Sequence, residues 1–279
     1  MGKLVRWCQE REDQTVAMGG DKEIRVARVG QSKTEELDRV AVEEPLQLVV
    51  DGRPVAVLMR TPGHDEELAA GFLWTEGIVD SRDQIRRIDV ESRDNHALVF
   101  LEDGVEVDFG RLTRHLFSAS SCGLCGKASI EAITTRSEPV SGDVIFREEA
   151  LMEAPETLRR AQATFEETGG LHASAVFGQE GDLLVLREDV GRHNALDKVL
   201  GWALLEGVDL SRSFVLMSGR LSFELMQKAL AGRLPMVAGI SAPSSLAVEF
   251  ARESNQTLVG FLRPPRFNVY AGMERLELQ

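Results

Sequence analysis

Alternating strand and helix patterns between residues 171 and 262 constrain the fold of this chain more than any other feature. Short apolar runs are separated by longer segments whose apolar residues recur at helical spacing. This alternation predicts an α/β sheet that is covered by helices and has a mostly parallel section. The predicted strands span 171–177, 183–187, 214–218, 236–240 and 257–262, and the predicted helices span 194–205, 222–231 and 244–252.

The part of the chain before this region is predicted to be β-rich. Asp51-Gly52 separates two apolar runs, 46–50 and 55–60, and is a strong signal for a two-residue hairpin. A helix should follow, capped by Asp65 and ended by Gly77. Further strands are expected near 88–90, 97–101 and 105–109.

The change of pattern along the chain predicts its domain organisation. Residues 1–33 are polar and aperiodic, which indicates a loosely ordered leader. Residues 34–140 form a predicted β-rich subdomain of α+β type that ends in a cysteine-containing loop. Residues 141–279 form the predicted α/β domain, in which ligands should bind beyond the carboxyl ends of the strands.

The loops at those strand ends are candidates for binding a phosphate-bearing ligand. They are Ser218-Gly219-Arg220, residues 241–245 and Arg263-Pro264-Pro265-Arg266. The first two precede helices, whose free backbone N–H groups and hydroxyl caps can bind anions. Each loop alone is also typical of an ordinary helix cap, so the prediction of a phosphate site depends on the three loops lying close together in the fold.

The chain is acidic, with 32 basic and 45 acidic residues and a net charge of −13. This charge argues against broad contact with nucleic acid, although a local patch such as Arg263 and Arg266 can bind one nucleotide. The N-terminus lacks an apolar signal core, and no apolar run approaches the roughly 20 residues that span a bilayer. Three cysteines without a disulfide framework favour a reducing compartment. We therefore expect a cytoplasmic protein with no membrane segment.

The segment Cys122-Gly-Leu-Cys125-Gly-Lys127 is suited to sulfur chemistry. Its glycines leave the sulfur atoms accessible, while Lys127 and the start of a helix would stabilise a thiolate. Structural zinc would need further ligands, and the sequence has no other clustered pair to supply them. A thioredoxin-like dithiol would lie early in a βαβ unit, whereas this pair follows a β-rich block.

Three interpretations of the cysteine pair stay open from the residues alone. A sulfur carrier needs one exposed, activated cysteine with basic neighbours, which Arg114, His115 and Lys127 supply. A zinc nucleobase deaminase would combine His64-Asp65-Glu66 with the two cysteines, but Ser121 stands where that signature has proline. The third interpretation is a pair of unreactive surface cysteines.

Several polar segments admit both a structural and a functional interpretation. His64 follows Pro62-Gly63 and fits a turn residue better than a catalytic one. His172 begins a predicted strand, where a hydrogen-bonded core histidine and a catalytic histidine are equally compatible with the pattern. Residues 189–198 place a carboxylate, a guanidinium, an imidazole and an amide before a helix, which is typical of ligand contact or of a buried network.

Seven motifs occur in order from about residue 38 to the C-terminus. They are Thr61–Leu73 with Glu76-Gly77, Cys122–Lys127, Thr168–Ala173, Glu188–Asn194 with Asp197-Lys198, Ser218–Glu224, Ser241–Ala247 and Phe261–Tyr270. Together these motifs resemble the FdhD family of sulfur carriers and formate dehydrogenase accessory proteins. Cys8 lies outside the match.

The resemblance implies a cytoplasmic homodimer that takes sulfur from a cysteine desulfurase. The sulfur would pass to the molybdenum cofactor of formate dehydrogenase, in its bis(molybdopterin guanine dinucleotide) form, which GDP would mimic. The resemblance places a persulfide on Cys122, with Cys125 as a helper, and cofactor binding on Phe261, Leu262, Arg263, Pro264, Pro265 and Arg266. It implies a cytidine-deaminase-like three-layer sheet without a metal. A non-catalytic chaperone that inserts the cofactor is the alternative.

Overall fold

A computed structural model describes residues 20–30, 33–109 and 137–278. The predicted cysteine loop, with Cys122 and Cys125, lies outside these residues, as does Cys8. Within the described ranges, no helix is both long enough and apolar enough to cross a membrane.

The N-terminal part contains a hairpin, a four-stranded sheet and one long helix. The strands are β1 (Asp21–Val29), β2 (Lys33–Ala41), β3 (Glu44–Val50), β4 (Arg53–Arg60), β5 (Ile85–Asp89) and β6 (His96–Leu101), and the helix is α1 (Asp65–Thr75). The larger sheet has the order β4-β3-β6-β5, with β3 and β6 parallel. Asp51 (φ 46°) and Gly52 (φ 78°) join β3 to β4 with the positive φ angles that a tight hairpin requires, which confirms the predicted turn.

The part of the chain from residue 137 to residue 278 contains a six-stranded sheet, a separate pair of short strands, and helices. Its strands are β7 (Phe146–Arg147), β8 (His172–Gly178), β9 (Leu183–Asp189), β10 (Ser213–Met217), β11 (Met236–Gly239), β12 (Thr257–Arg263), β13 (Arg266–Ala271) and β14 (Leu276–Glu277). Its helices are α2 (Glu148–Ala161), α3 (Ala163–Thr168), α4 (Arg192–Glu206), α5 (Phe223–Ala231) and α6 (Ser245–Glu253). The sheet order is β13-β12-β11-β10-β8-β9, and β7 pairs separately with β14.

Side chains alternate between the two faces of this sheet and so bury both of them. On β10, Val215 and Met217 join the core formed with α4, α5 and α6. Their neighbours Phe214 and Leu216 join a second core that includes α2. Because β10, β11 and β12 are parallel and both faces are covered by helices, the α/β class predicted from the sequence is confirmed.

Some elements differ from the sequence-based expectations. The residues from 105 to 109 do not form a strand, and α2 and β13 were not predicted. Asp65 does not cap α1 but binds the guanidinium of Arg60 through both carboxylate oxygens at 3.0 and 2.8 Å, and His64 is the residue that precedes the helix. β1 lies in the segment assigned to a leader, and the domain boundaries stay a prediction.

Two glycines bring α1 and α4 into direct backbone contact. A Cβ atom on Gly71 would lie 1.8 Å from the carbonyl oxygen of Asp197, and one on Gly201 would lie 1.8 Å from the carbonyl oxygen of Glu67. Either contact is far inside van der Waals distance, so no larger residue fits at this crossing. The crossing joins the N-terminal part of the chain to the face of the six-stranded sheet that α4 covers.

Candidate functional site

The sheet brings the predicted strand-end loops to one edge. The chain directions of β9, β10, β11 and β12 place their carboxyl ends there, and the antiparallel β8 begins at the same edge. The segments that meet at this edge are His172, Asp189–Asn194, Ser218–Arg220, Ser241–Ser245 and Phe261–Arg266. This arrangement is the convergence on which the phosphate-site prediction depends.

A group of positive side chains surrounds His172. Burial lowers the pKa of this histidine, and the nearby charges of Arg192, His193 and Arg220 lower that pKa further, while Asp189 acts in the opposite direction. The imidazole is therefore neutral at neutral pH. Within the described part of the chain, neither Arg192 nor Arg220 forms an ion pair with a carboxylate, so this edge carries uncompensated positive charge in an acidic protein.

The two serines that precede helices at this edge behave differently. The hydroxyl of Ser244 accepts a hydrogen bond from the backbone N–H of Ala247 at 3.2 Å and is an ordinary cap of α6. The hydroxyl of Ser222 makes no such bond at the start of α5, and it is shielded from solvent without a hydrogen-bond partner among the described residues. Nε of Arg192, the first residue of α4, is likewise shielded from solvent and has no hydrogen-bond partner among the described residues.

His193 and Glu224 connect the first turns of α4 and α5. Nε2 of His193 lies 3.0 Å from Oε2 of Glu224, and both side chains are mostly buried, at 18% and 10% exposure. The contact joins a side chain at the start of α4 to one at the start of α5. We did not predict a role for Glu224 or Ser222 from the sequence, because a serine and a glutamate at the start of a helix are typical of ordinary caps.

The other polar side chains of residues 189–198 form a buried network. Lys198 Nζ lies 2.8 Å from Oδ2 of Asp189, with side-chain exposures of 1% and 0%. Asp189 also accepts hydrogen bonds from the backbone N–H of Thr61 at 3.1 Å and from Nδ2 of Asn194 at 2.9 Å. Lys198 donates to the carbonyl oxygen of Thr61 at 2.9 Å. The network interpretation of this segment therefore fits Asp189, Asn194 and Lys198, whereas ligand contact by Arg192 and His193 stays a prediction.

The segment implied to bind the cofactor forms the tip of the hairpin between β12 and β13. Leu262 is buried, whereas the side chains of Phe261, Arg263, Pro264, Pro265 and Arg266 are exposed. The backbone N–H of Phe261 donates to the carbonyl oxygen of Ser241 at 3.0 Å, and Nε of Arg263 donates to the carbonyl oxygen of Ile240 at 3.1 Å. These bonds hold the tip against the end of β11.

His64 lies in a left-handed turn before α1. Its φ is 57°, its side chain is 52% exposed, and Nδ1 is 3.5 Å from Oε2 of Glu67. Glu67 in turn receives two hydrogen bonds from Arg187, at 2.5 and 2.7 Å. The placement fits the turn interpretation of His64. Cys122 and Cys125 lie outside the described residues.

Curated proteins similar to this chain are named sulfur carrier protein FdhD. The protein from Streptomyces avermitilis is 47% identical over 254 residues, which cover 87% of this chain and 90% of the relative. The protein from Mycobacterium tuberculosis is 46% identical and covers 86% and 92% of the two chains. The archaeal protein from Sulfolobus acidocaldarius is 42% identical, with coverages of 86% and 92%.

A solved structure and a family model agree with these similarities. A formate dehydrogenase accessory protein from Desulfotalea psychrophila superposes with a TM-score of 0.78 at 26% sequence identity, covering 93% of this chain and 100% of the other. The model of the FdhD/NarQ family matches residues 41–277, which include both sheets and the whole strand-end edge. This chain therefore belongs to the FdhD/NarQ family.

Proposed function

We propose that this protein is a sulfur carrier required for formate dehydrogenase activity. The relatives named sulfur carrier protein FdhD and the similar formate dehydrogenase accessory protein support this role. The structural observation that carries the proposal is the positively charged edge around His172. Its two arginines, Arg192 and Arg220, lie beside two helix N-termini and have no ion-pair partner among the residues that the structure describes. Such an edge suits the phosphates of a guanine dinucleotide cofactor.

The chemistry of the carrier begins at Cys122. The Cys122 thiolate attacks the terminal sulfur of a persulfide on a cysteine desulfurase, the sulfur–sulfur bond of the donor breaks, and the donor cysteine leaves as a thiolate. Cys122 then holds the sulfur as a persulfide, with Cys125 as a helper. The acceptor is the bis(molybdopterin guanine dinucleotide) cofactor destined for formate dehydrogenase.

The edge residues contribute binding rather than bond-breaking chemistry in this proposal. Exposed Arg263 and Arg266 can contact phosphate oxygens in pairs, and exposed Phe261 can stack on a guanine. When bound, the cofactor supplies the molybdenum that accepts sulfur. The proposal also includes a cytoplasmic location and a homodimer.

Mass spectrometry of the protein after incubation with a cysteine desulfurase and cysteine tests the carrier role. We expect one added sulfur on the peptide that contains Cys122, its loss in Cys122→Ala, and no change in the control variant Cys8→Ala. Cys122→Ala should also abolish support of formate dehydrogenase in cells. Absence of persulfide from both Cys122 and Cys125, or full formate dehydrogenase activity in Cys122→Ala, would overturn the role.

Two other outcomes would identify a different function. Retained formate dehydrogenase activity after replacement of both cysteines would indicate a chaperone that inserts the cofactor without carrying sulfur. Stoichiometric zinc together with turnover of a nucleobase or nucleoside would indicate a deaminase.

A further inference from the structure

We propose that the outer edge of β1 pairs with the same edge of a second copy of this chain. The antiparallel pairing joins the two β1–β2 hairpins into one four-stranded sheet, with Ile24 of each copy at its centre. The inference rests on the homodimer of the proposed function and assigns it an interface. The hairpin lies before residue 41, where the match to the FdhD/NarQ family model begins.

The hairpin is a sheet of only two strands. Residues 21–29 and 33–41 form nine opposite pairs, and no other strand of the described residues joins either edge. A two-stranded hairpin by itself is marginally stable in water, and it is stabilised by further strands or by packing against a helix. Each free edge also presents unpaired backbone N–H and C=O groups, which are a template for another strand.

The base of the hairpin contacts the rest of the chain, whereas its far half is exposed. At the base, the guanidinium of Arg39 lies 2.6 Å from the carboxylate of Glu167 in α3. Beyond the base, every residue of β1 from 22 to 29 except Val26 is exposed, and the side chain of Val29 is 76% exposed. The strand is therefore accessible to a partner over most of its length.

The sequence of β1 is complementary to itself in the antiparallel direction. When Ile24 lies opposite Ile24 of the second copy, Glu23 lies opposite Arg25 of that copy, and Arg25 lies opposite its Glu23. Opposite side chains share one face of a sheet at about 5 Å between Cβ atoms, so this register forms one apolar pair and two ion pairs. Pairing over residues 21–27 also adds about six to eight backbone hydrogen bonds.

The charge of β1 favours this approach of two acidic chains. The strand has three basic and two acidic residues, whereas the whole chain has a net charge of −13. Two copies that meet at β1 therefore avoid most of the like-charge repulsion between them. Because the contact is two-fold symmetric, it closes at two copies.

The edge of β2 is less suited to the same pairing. Its exposed apolar residue is Leu37, and pairing of two β2 strands about Leu37 would place Glu36 opposite Asp38 twice. Like charges at opposite positions destabilise a sheet. Arg39, the only arginine of β2, already forms ion pairs within its own chain. The assembly therefore ends at β2 instead of continuing into a fibre.

Sedimentation equilibrium of the full chain tests the interface through two complementary variants. Arg25→Glu and Glu23→Lys each place two pairs of like charges across the contact, and we expect each to weaken the dimer at least about tenfold. An equimolar mixture of the two variants should restore the dimer, because both acidic side chains of one variant then lie opposite both basic side chains of the other. Both positions are exposed, so the replacements are compatible with the native fold.

The matched control is Arg28→Glu, which makes the same change of charge on the same strand. Arg28 lies outside the paired residues 21–27 and contacts Glu36 of its own hairpin at 2.8 Å, so the dimer should be unaffected. A monomeric wild type, an unchanged dissociation constant in Arg25→Glu, or a mixture that stays monomeric would overturn the proposal. An equal loss in Arg28→Glu would do the same, because it would show a general effect of charge.

Oxidative cross-linking tests the register in a chain whose three native cysteines are replaced by serine. Ile24→Cys should form a disulfide-linked dimer, because opposite Cα atoms lie about 4.5–5.5 Å apart. Val26→Cys lies on the same face, but its two copies would be about 14 Å apart and should not cross-link. Equal yields from the two variants, or none from Ile24→Cys, would contradict the pairing.

The persulfide assay separates this interface from the carrier function. Persulfide on Cys122 of a monomeric wild type would remove the interface and leave the sulfur carrier intact. A dimer that responds to the variants as expected, but forms no persulfide on Cys122 or Cys125, would establish the interface and refute the carrier.

Discussion

Asp189 is completely buried, whereas Arg192, three residues later, reaches the strand-end edge. The difference arises because Asp189 ends β9 and turns toward the N-terminal part of the chain, while Arg192 begins α4. The sequence shows a dense polar segment, but it does not show which of its side chains are buried and which reach the edge. The reason is that the partners of Asp189 include Thr61, which is 128 residues away. Only the tertiary structure separates the side chains that stabilise the fold from those that can contact a ligand.

Lys198→Met should destabilise the protein strongly. The substitution leaves the carboxylate of Asp189 buried without its counter-ion, and losing one partner of a buried pair costs about 3–5 kcal/mol in free energy of unfolding. Urea denaturation followed by circular dichroism measures this change. The control Arg159→Met removes one partner of the exposed pair between Arg159 and Glu156 and should leave the denaturation midpoint unchanged. Equal midpoints for wild type and Lys198→Met would contradict the network.

The crossing of α1 and α4 determines how the N-terminal part meets the six-stranded sheet. Sequence patterns predicted both helices from their apolar spacing, and α1 is also marked by an acidic first turn and by Gly77 after its end. The patterns did not predict the crossing, since Gly71 and Gly201 look like unfavourable residues within helices until the two backbones are brought together. The helix α2 was missed although Leu151, Ala154 and Leu158 recur at helical spacing, because Pro155 interrupts the pattern.

Gly71→Ala should therefore disrupt the protein more than an ordinary glycine substitution in a helix. An alanine usually favours a helix, but here its Cβ would overlap the carbonyl oxygen of Asp197, and the two helices would have to separate. We expect a loss of more than about 1–3 kcal/mol, the usual cost of overpacking. Thermal unfolding of Gly71→Ala beside Gly30→Ala, where a Cβ meets no atom within 4 Å, measures the effect. A melting temperature at or above that of Gly30→Ala would refute the close crossing.

The overall class of the protein was predictable from its sequence, but the relation between its two parts was not. Between residues 171 and 263, each strand or helix is marked by local spacing and by turn residues, so the predicted order of elements there agrees with the structure. Sheet order and the joining of the two parts depend on contacts between distant residues, such as Glu67 with Arg187 and Thr61 with Lys198. The meeting of the loops at this edge could be expected from the parallel strands. The shielding of Arg192 Nε and Ser222 Oγ could not be expected from the sequence.

These long-range contacts predict that the two parts unfold together. Leu204 of α4 belongs to the core of the N-terminal sheet, and Trp74 of α1 packs against both that core and the core under α4 and α5. Unfolding either part would expose the apolar surface of the other and leave Lys198 and Asp189 without shared partners. Denaturation curves from tryptophan fluorescence and far-ultraviolet circular dichroism should therefore coincide, with equal calorimetric and van't Hoff enthalpies. Two separated transitions would show instead that the predicted subdomains are independent folding units, and that the contacts between them add little to stability.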